Sequence, residues 1–349
     1  MIDQRRLPAV LEVVSLRDHA SVAAAIRDMV VRGAPAIGAA AAFGLALAAR
    51  ESLAGSPEGL YADLESAAAV LKASRPTAVN LSWAVDRVLR RAASDRGRLA
   101  SSAGAVGLIR EAVLDEAQAI ADEDVAANRR LAEFGASLIR DGDTIIHHCN
   151  TGALATVDWG TALGVIRMAA QQGKKIHVLV GETRPRLQGS RLSAWELEQY
   201  GVPYDIIADS AAGHFLQSGK VNLVLFGADR VAANGDVVNK VGTYMLALAA
   251  RDNHVPAYAA VPTSTIDHSA SSGASVTIEE RPAAEVLDLR VGGERIAPAT
   301  ATARNPGFDV TPARLVTSII TELGIILPPY ATNLRRLRRD AAIRPLLQT

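Results

Sequence analysis

One cysteine, Cys149, stands among 349 residues. A single thiol can close no intrachain disulfide and build no cysteine-rich zinc module, which fits a reducing cytoplasm. Net charge is also missing. Lys and Arg number 37, as do Asp and Glu, so no global basic field exists to hold nucleic acid or an anionic membrane. Lysine is scarce, with Arg supplying most of the positive charge, and any lysine inside a motif draws attention. The longest apolar run, Gly33 to Ala49 (GAPAIGAAAAFGLALAA), falls short of the ~20 strongly apolar residues that a membrane span needs. Its alanines suit a buried helix packed closely through small residues. Met1 to Arg6 runs directly into charge, unlike a signal peptide. GxGxxG, GxxxxGK[ST] and GxSxG are all absent. Dinucleotide binding, P-loop chemistry and the serine-hydrolase elbow therefore lose their main sequence support.

What is present reads as a globular enzyme, 49% apolar and 21% charged, long enough for roughly two domains. Residues 1–140 carry helical patterns. Ser21 to Arg32 is amphipathic, Pro35 opens a second helix, and further patterns run over Tyr61–Ala73, Leu81–Ala93 and Ala103–Ile139. The stretches SRPTAVN (Ser74–Asn80) and SDRGRLASS (Ser94–Ser102) read as breaks between them. After Asp141 short β-branched runs alternate with helices: Thr144–His148, Ile176–Val180, Tyr204–Ala208, Val221–Phe226 and Ala257–Val261. Such runs, nearly all apolar, predict a parallel sheet covered on both faces, a doubly wound α/β domain over 141–349. The fold class expected is α/β, a helical N-terminal domain followed by a Rossmann-like one. The tail after Pro328, with Arg335, Arg336, Arg338 and Arg339, reads as a basic, solvated helix or end.

Open parallel sheets bind ligands beyond the carboxyl ends of their strands. Those ends carry His147-His148-Cys149-Asn150, Gly181-Glu182-Thr183-Arg184, Asp209, Gly227-Ala228-Asp229-Arg230 and Pro262-Thr263-Ser264-Thr265. Cys149 precedes a helix expected near Thr151-Gly152, whose amides would lower the thiol pKa; a small buried hydrophobe is the equally weighted bland account. Adjacent His147 and His148 point to opposite faces of a strand and have poor spacing for zinc. Asp229 ends the apolar run VNLVLF, where partial desolvation would raise its pKa; capping the next turn is as good a reading from spacing alone. Asn239-Lys240 is expected to open the helix VGTYMLALAA, with Asn239 as N-cap and Lys240 placed for an anion. Arg32-Gly33-Ala34-Pro35 repeats that theme, an arginine and a glycine at a helix start.

Taken together the strings resemble a known family. VVRGAPAIG (Val30–Gly38), HCNTGALAT (His148–Thr156), ETRPRLQG (Glu182–Gly189), ADSAAGHF (Ala208–Phe215) and GADRVAANGDVVNKVGTY (Gly227–Tyr244) are similar to methylthioribose-1-phosphate isomerases of methionine salvage. VPTSTID (Val261–Asp267), IEERP (Ile278–Pro282) and NPGFDVTPARL (Asn305–Leu315) extend the match. The resemblance implies a cytoplasmic homodimer acting on a small sugar phosphate without organic cofactor or metal. It implies Cys149 and Asp229 as the catalytic pair, and Arg32, Gly33, Ala34, Arg75, Gln188, Asn239 and Lys240 as sugar-phosphate contacts; Arg75 and Gln188 come from it alone. Set against that resemblance, the chain is expected to lack a short N-terminal segment of the family, and its arginine-rich tail is expected to have no counterpart there.

The implied reaction turns an aldose 1-phosphate into a ketose 1-phosphate. With C1 phosphorylated, ring opening needs a proton on the ring oxygen, a task for a protonated Asp229. Cys149 then serves as base at C2 or assists a hydride shift, and the residues do not choose between the two. Rival readings are a sister isomerase for ribose 1,5-bisphosphate or 5-deoxyribose 1-phosphate, and a non-enzymatic relative like the regulatory subunits of the initiation-factor-2 exchange factor. A cysteine hydrolase is more remote. A second phosphate would want an extra cationic pocket, and a regulatory relative would not be expected to keep both Cys149 and Asp229.

Overall fold

The computed structural model describes residues 1–76, 78–99, 102 and 104–343, with side chains through residue 337. Thr77, Ala100 and Ser101, within the two expected breaks, lie outside the described residues. So do the side chains of Arg338 and Arg339 and residues 344–349 of the tail. Two compact units form: Met1–Ala127 with Ala153–Gly160, and Asn128–Gly152 with Thr161–Thr349.

The first unit is helical: α1 (His19–Arg27), α2 (Ala34–Glu51), α3 (Pro57–Ser74), α4 (Val79–Leu99) and the N-terminal part of α5 (Ala105–Ala136). Local chemistry sets the starts. The Asp18 carboxylate accepts the Ser21 amide of α1 at 2.6 Å, and Ser56 Oγ accepts the Gly59 amide of α3 at 3.1 Å, each satisfying an amide that the helix leaves unpaired. Pro35 and Pro57 occupy first-turn positions. α2 is the alanine-rich run, and Ala41, Ala42, Leu45 and Ala49 along it are fully buried. A Cβ built on Gly38 would stand 3.1 Å from the Asn80 carbonyl, and one on Gly44 would stand 3.0 Å from Leu71. Small residues thus let α2 approach α3 and α4, as expected. No helix among the described residues is long and apolar enough to cross a membrane.

One expected break, Ser94–Ser102, is shorter than expected. α4 continues through SDRGRL to Leu99, because Asp95, its side chain buried, is held by Arg91 Nε at 2.7 Å and Arg98 Nη2 at 2.9 Å. Those i−4 and i+3 pairs lie on one helix face and sustain a stretch that looks polar and loop-like in sequence.

The second unit is built on a seven-stranded sheet. Its strands are β1 (Thr144–His147), β2 (His177–Gly181), β3 (Tyr204–Ile207), β4 (Leu223–Phe226), β7 (Ala257–Ala260), β12 (Ser318–Thr321) and β13 (Gly324–Ile326), in the order β13-β12-β7-β4-β1-β2-β3. All neighbours are parallel except β12 and β13. The five expected strands are present within a residue or two of their expected bounds. Helices α6 (Ala162–Gln171), α7 (Ala194–Tyr200), α8 (Ala212–Gln217) and α9 (Thr243–Asp252) lie between strands in sequence, giving the doubly wound α/β arrangement. The central strand β4 is apolar and buried throughout, as a strand covered on both faces must be. A smaller sheet, β11-β6-β5-β8, joins β5 (Arg230–Ala232), β6 (Val237–Lys240), β8 (Ile266–Asp267) and β11 (Phe308–Thr311). β9 (Arg290–Val291) and β10 (Glu294–Arg295) form a hairpin, α10 covers Ala284–Leu287, and α11 runs over Tyr330–Ile343.

Burial sets the stability of the first unit. Leu45→Ala leaves a cavity in a closely packed core and should cost about 2–5 kcal/mol, whereas Leu53, 98% exposed, should tolerate alanine within about 0.5 kcal/mol. Chemical denaturation of the two variants checks the contrast.

Candidate active site

The strand order reverses between β1 and β4: the chain leaves β1 toward β2 and β3, and leaves β4 toward β7. Such a switch point opens a crevice at the carboxyl ends of the two strands. Cys149 lies just beyond β1 and Asp229 just beyond β4, and these strands pair directly, His147 opposite Leu225. Topology therefore brings the two expected catalytic residues to neighbouring strand ends.

Cys149 is half-buried with φ 67°, a left-handed conformation uncommon outside glycine. Its amide donates to Thr183 Oγ1 at 3.0 Å, and its carbonyl accepts from Ser193 Oγ at 2.7 Å. Asn150 Nδ2 donates to Glu196 Oε1 at 2.8 Å, and Tyr200 Oη donates to Glu196 Oε2 at 2.9 Å. Glu196 is buried, and a Cβ on Gly152 would meet its carboxylate at 2.2 Å, so only glycine fits that approach. The expected helix after Cys149 is not there. A three-residue 3-10 turn, Ala153–Ala155, follows the loop, and the next α-helix of the unit starts at Ala162. A single 3-10 turn supplies no aligned macrodipole, so the helix-based lowering of the thiol pKa falls away.

The histidines before Cys149 are structural. His147 is fully buried, and with Nδ1 protonated it donates to the Leu225 carbonyl at 3.0 Å. Burial, which disfavours imidazolium, lowers its pKa to about 4. His148 Nε2 reaches the Val241 carbonyl at 3.1 Å, and burial also lowers its pKa. Among the described residues, no three His, Cys, Asp or Glu side chains gather as a metal site.

Asp229 is exposed, and its amide donates to the Val238 carbonyl at 2.9 Å. The expectation from its place after VNLVLF is partial desolvation, whereas Asp229 itself is exposed. Asn239 and Lys240 correct another expectation. They close β6, paired with β11, and α9 begins only at Thr243, with Gly242 at φ 104° as its N-cap. Asn239 is buried and donates to Thr243 Oγ1 at 3.0 Å. Lys240 Nζ donates to the Gly307 carbonyl at 2.6 Å and stands 4.7 Å from the Phe308 ring centroid. The anion at the start of α9 is Asp309, accepting from the Gly242 amide at 2.7 Å and from the Tyr244 amide at 3.1 Å. Burial nevertheless raises its pKa to about 6.

Gln188 is buried, and its Oε1 has no hydrogen-bond partner among the described residues. The helical turn after it begins at Gly189, where a Cβ would fall 1.8 Å from the Gly181 carbonyl at the end of β2. Arg32, Gly33, Ala34 and Arg75 belong to the first unit. Gly33 has φ 100°, and a Cβ there would fall 2.1 Å from the Ala155 carbonyl oxygen, so the start of α2 demands glycine twice over. Arg75 caps the end of α3. Thr183 lies among the strand-end residues that the sequence points to and, like Asp309, within a motif that carries the resemblance, whereas no residue pattern points to Ser193 or Glu196.

The initiation factor 2 subunit family matches residues 30–328. A methylthioribose-1-phosphate isomerase of Pelotomaculum thermopropionicum is 52% identical over 336 residues, 96% of this chain and 90% of that protein. Among solved structures, 5-methylthioribose 1-phosphate isomerase from Pyrococcus horikoshii OT3 superposes with a TM-score of 0.89 at 45% identity, covering 97% of this chain and 92% of that one. The translation initiation factor eIF-2B, subunit delta, from A. fulgidus gives 0.85 at 44% identity, covering 96% and 95%.

His147 carries a pH signature. Its folded pKa lies below the ordinary 6.5, so the unfolded chain binds the extra proton, and stability falls as pH drops from about 6.5 toward about 4. Asp309 opposes this, since its raised pKa makes stability grow as pH falls through about 6. His147→Gln should flatten the acid-side loss, and melting temperatures between about pH 4.5 and 7 measure it.

On motif order, fold and length of match, the chain belongs to the initiation factor 2 subunit family, among its methylthioribose-1-phosphate isomerases.

Proposed function

We propose that this chain is an aldose–ketose isomerase converting 5-methylthioribose 1-phosphate to 5-methylthioribulose 1-phosphate. The observation that carries the reading is a thiol and a carboxylic acid at the ends of two neighbouring strands, where the sheet reverses its order. The chemistry needs one of each. Asp229, protonated, gives its proton to the ring oxygen, and the ring C1–O bond breaks. The Cys149 thiolate takes the proton from C2, leaving an enol phosphate between C1 and C2. Cys149 returns that proton to C1, while the Asp229 carboxylate takes the proton of the C2 hydroxyl as the ketone forms. Both groups end as they began. Because Asp229 is exposed in the free protein, bound substrate must supply the desolvation that keeps the acid protonated. Gln188 Oε1, buried with an unused lone pair, is suited to a sugar hydroxyl.

Asn239 and Lys240 line the strand that holds the Asp229 turn, and Arg32, Gly33, Ala34 and Arg75 carry substrate-contact roles through the family resemblance. A bisphosphate substrate is disfavoured. In the motif ETRPRLQG, Arg184 donates to the Val286 carbonyl and Arg186 pairs with Glu285 at 2.8 Å, leaving those cations committed to the protein. A regulatory, non-enzymatic role would not need a strained cysteine beside Asp229. We place the chain in the cytoplasm as a homodimer needing neither organic cofactor nor metal; light scattering at micromolar concentration should give twice the chain mass, and a monomer would contradict it.

Incubation with methylthioribose 1-phosphate, followed by NMR, should show the ketose. Cys149→Ser and Asp229→Asn should each lose at least ~10²–10⁴-fold in kcat with much smaller changes in affinity. Arg75→Ala removes a charge-assisted phosphate contact and should raise KM about ten- to a hundredfold, equivalent to roughly 1.5–3 kcal/mol. Near-native turnover in Cys149→Ser would reduce the thiol to packing.

A further inference from the structure

Six non-glycine residues among those described have positive φ, and three of them are linked by hydrogen bonds through Thr183: Cys149 at 67°, Thr183 at 66° and Leu187 at 58°. A β-branched residue such as Thr183 is especially disfavoured there. Strain of this kind persists only where the surroundings over-determine it, and it gathers at working sites.

We infer that Thr183 and Ser193 are positioning residues that hold Cys149 in the left-handed conformation from which its thiol acts. The inference rests on the catalytic reading of Cys149 given above. Both main-chain polar groups of Cys149 are held by side chains rather than by the sheet. Thr183 Oγ1 accepts the Cys149 amide at 3.0 Å and donates its own proton to the Gly181 carbonyl at 3.0 Å. Ser193 Oγ donates to the Cys149 carbonyl at 2.7 Å and accepts from Asn150 Nδ2 at 3.2 Å. The two clamps come from different elements, the turn after β2 and the helical turn that leads into α7.

The Thr183 clamp is itself braced. Its amide donates to Asp209 Oδ1 at 2.8 Å, and the next amide, of Arg184, donates to Asp209 Oδ2 at 2.7 Å. The Leu187 amide closes onto the Thr183 carbonyl at 2.7 Å. A line of support therefore runs from the end of β3, through the end of β2, to Cys149 at the end of β1. Thr183 is completely buried, so water cannot replace its hydroxyl. Without that hydroxyl the Cys149 amide and the Gly181 carbonyl lose their partners, and Cys149 is free to relax toward ordinary backbone conformations. Relaxation would shift the thiol relative to C2 while leaving the contacts to phosphate and sugar hydroxyls in place.

Thr183→Val keeps the β-branch and the shape and deletes only the oxygen; Thr183→Ser keeps the oxygen. Expected is a fall of about 10–100-fold in kcat for Thr183→Val with KM little changed, because misplacement by about an ångström costs that much. Thr183→Ser should return most of the rate, and Ser193→Ala should show the same split between kcat and KM. Iodoacetamide provides a readout that needs no substrate, since the chain has one cysteine. Its rate of reaction with Cys149 should shift in Thr183→Val and in Ser193→Ala, and return in Thr183→Ser. A folded Thr183→Val with wild-type kcat and alkylation rate would overturn the inference, as would a Thr183→Ser impaired to the same degree. If Thr183→Val does not fold, Ser193→Ala decides by the same two readouts. Wild-type turnover in Cys149→Ser would instead overturn the catalytic reading of Cys149, whatever the alkylation rates show.

Discussion

β1 is hydrogen-bonded to β2 on one side and to β4 on the other, and the chain leaves β1 and β4 in opposite directions. This pairing is the constraint on which the site depends. Connections that diverge cannot cover the ends of the two strands between them, so the main chain leaves a crevice there. The strands themselves are short and almost wholly apolar, and their burial on both faces anchors the rim that projects beyond them. His147, the last residue of β1, is held within that core by the Leu225 carbonyl of β4. The loop that carries Cys149 thus starts from a buried, hydrogen-bonded residue.

Beyond the strand ends the stabilising forces change from apolar burial to polar satisfaction. Cys149, Thr183 and Gln188 occupy positions where a residue chosen for stability alone would be different: two left-handed non-glycine conformations and a buried acceptor with no partner among the described residues. The compensation around Cys149 and Thr183 is a set of hydrogen bonds in which the Asp209 and Glu196 carboxylates accept and the Ser193 hydroxyl and the Asn150 amide donate. Satisfied polar groups in a water-poor setting give direction as well as energy, whereas apolar contacts would fill the space without fixing an orientation. The first unit works oppositely. Alanine and glycine along α2 remove side-chain bulk, and its stability lies in helices packed closely enough that few voids remain.

Patterns of short range were readable in advance. Five apolar runs became five parallel strands, and the rim residues followed from knowing which end of a parallel strand binds ligands. The differences from expectation have two sources, a partner distant in sequence and local geometry that composition does not show. Asn239 and Lys240 look like a helix start, yet β11, nearly seventy residues onward, draws them into a strand and moves the start of α9 to Thr243. Asp95 keeps α4 helical through a polar stretch because two arginines reach it on the helix surface. The helix expected directly after Cys149 does not form, because the chain departs into a loop and a single 3-10 turn before α6. Asp229 was expected to be partly desolvated by its neighbours in sequence, but it is exposed.

Sequence alone determined the class of fold, the five central strands and the candidate pair, because hydrophobic periodicity and motif order are properties of neighbouring residues. It also named Arg32, Gly33, Ala34, Arg75, Gln188, Asn239 and Lys240 as expected contacts, through resemblance. Tertiary structure decided what no local pattern encodes: that β4 lies against β1, that the small sheet captures Asn239 and Lys240, and that Thr183, Ser193 and Asp209 converge on one cysteine. These hydrogen bonds join residues separated by 25 to 44 positions. Their geometry exists only once the crossover helices have packed and brought separate strand ends to a common rim.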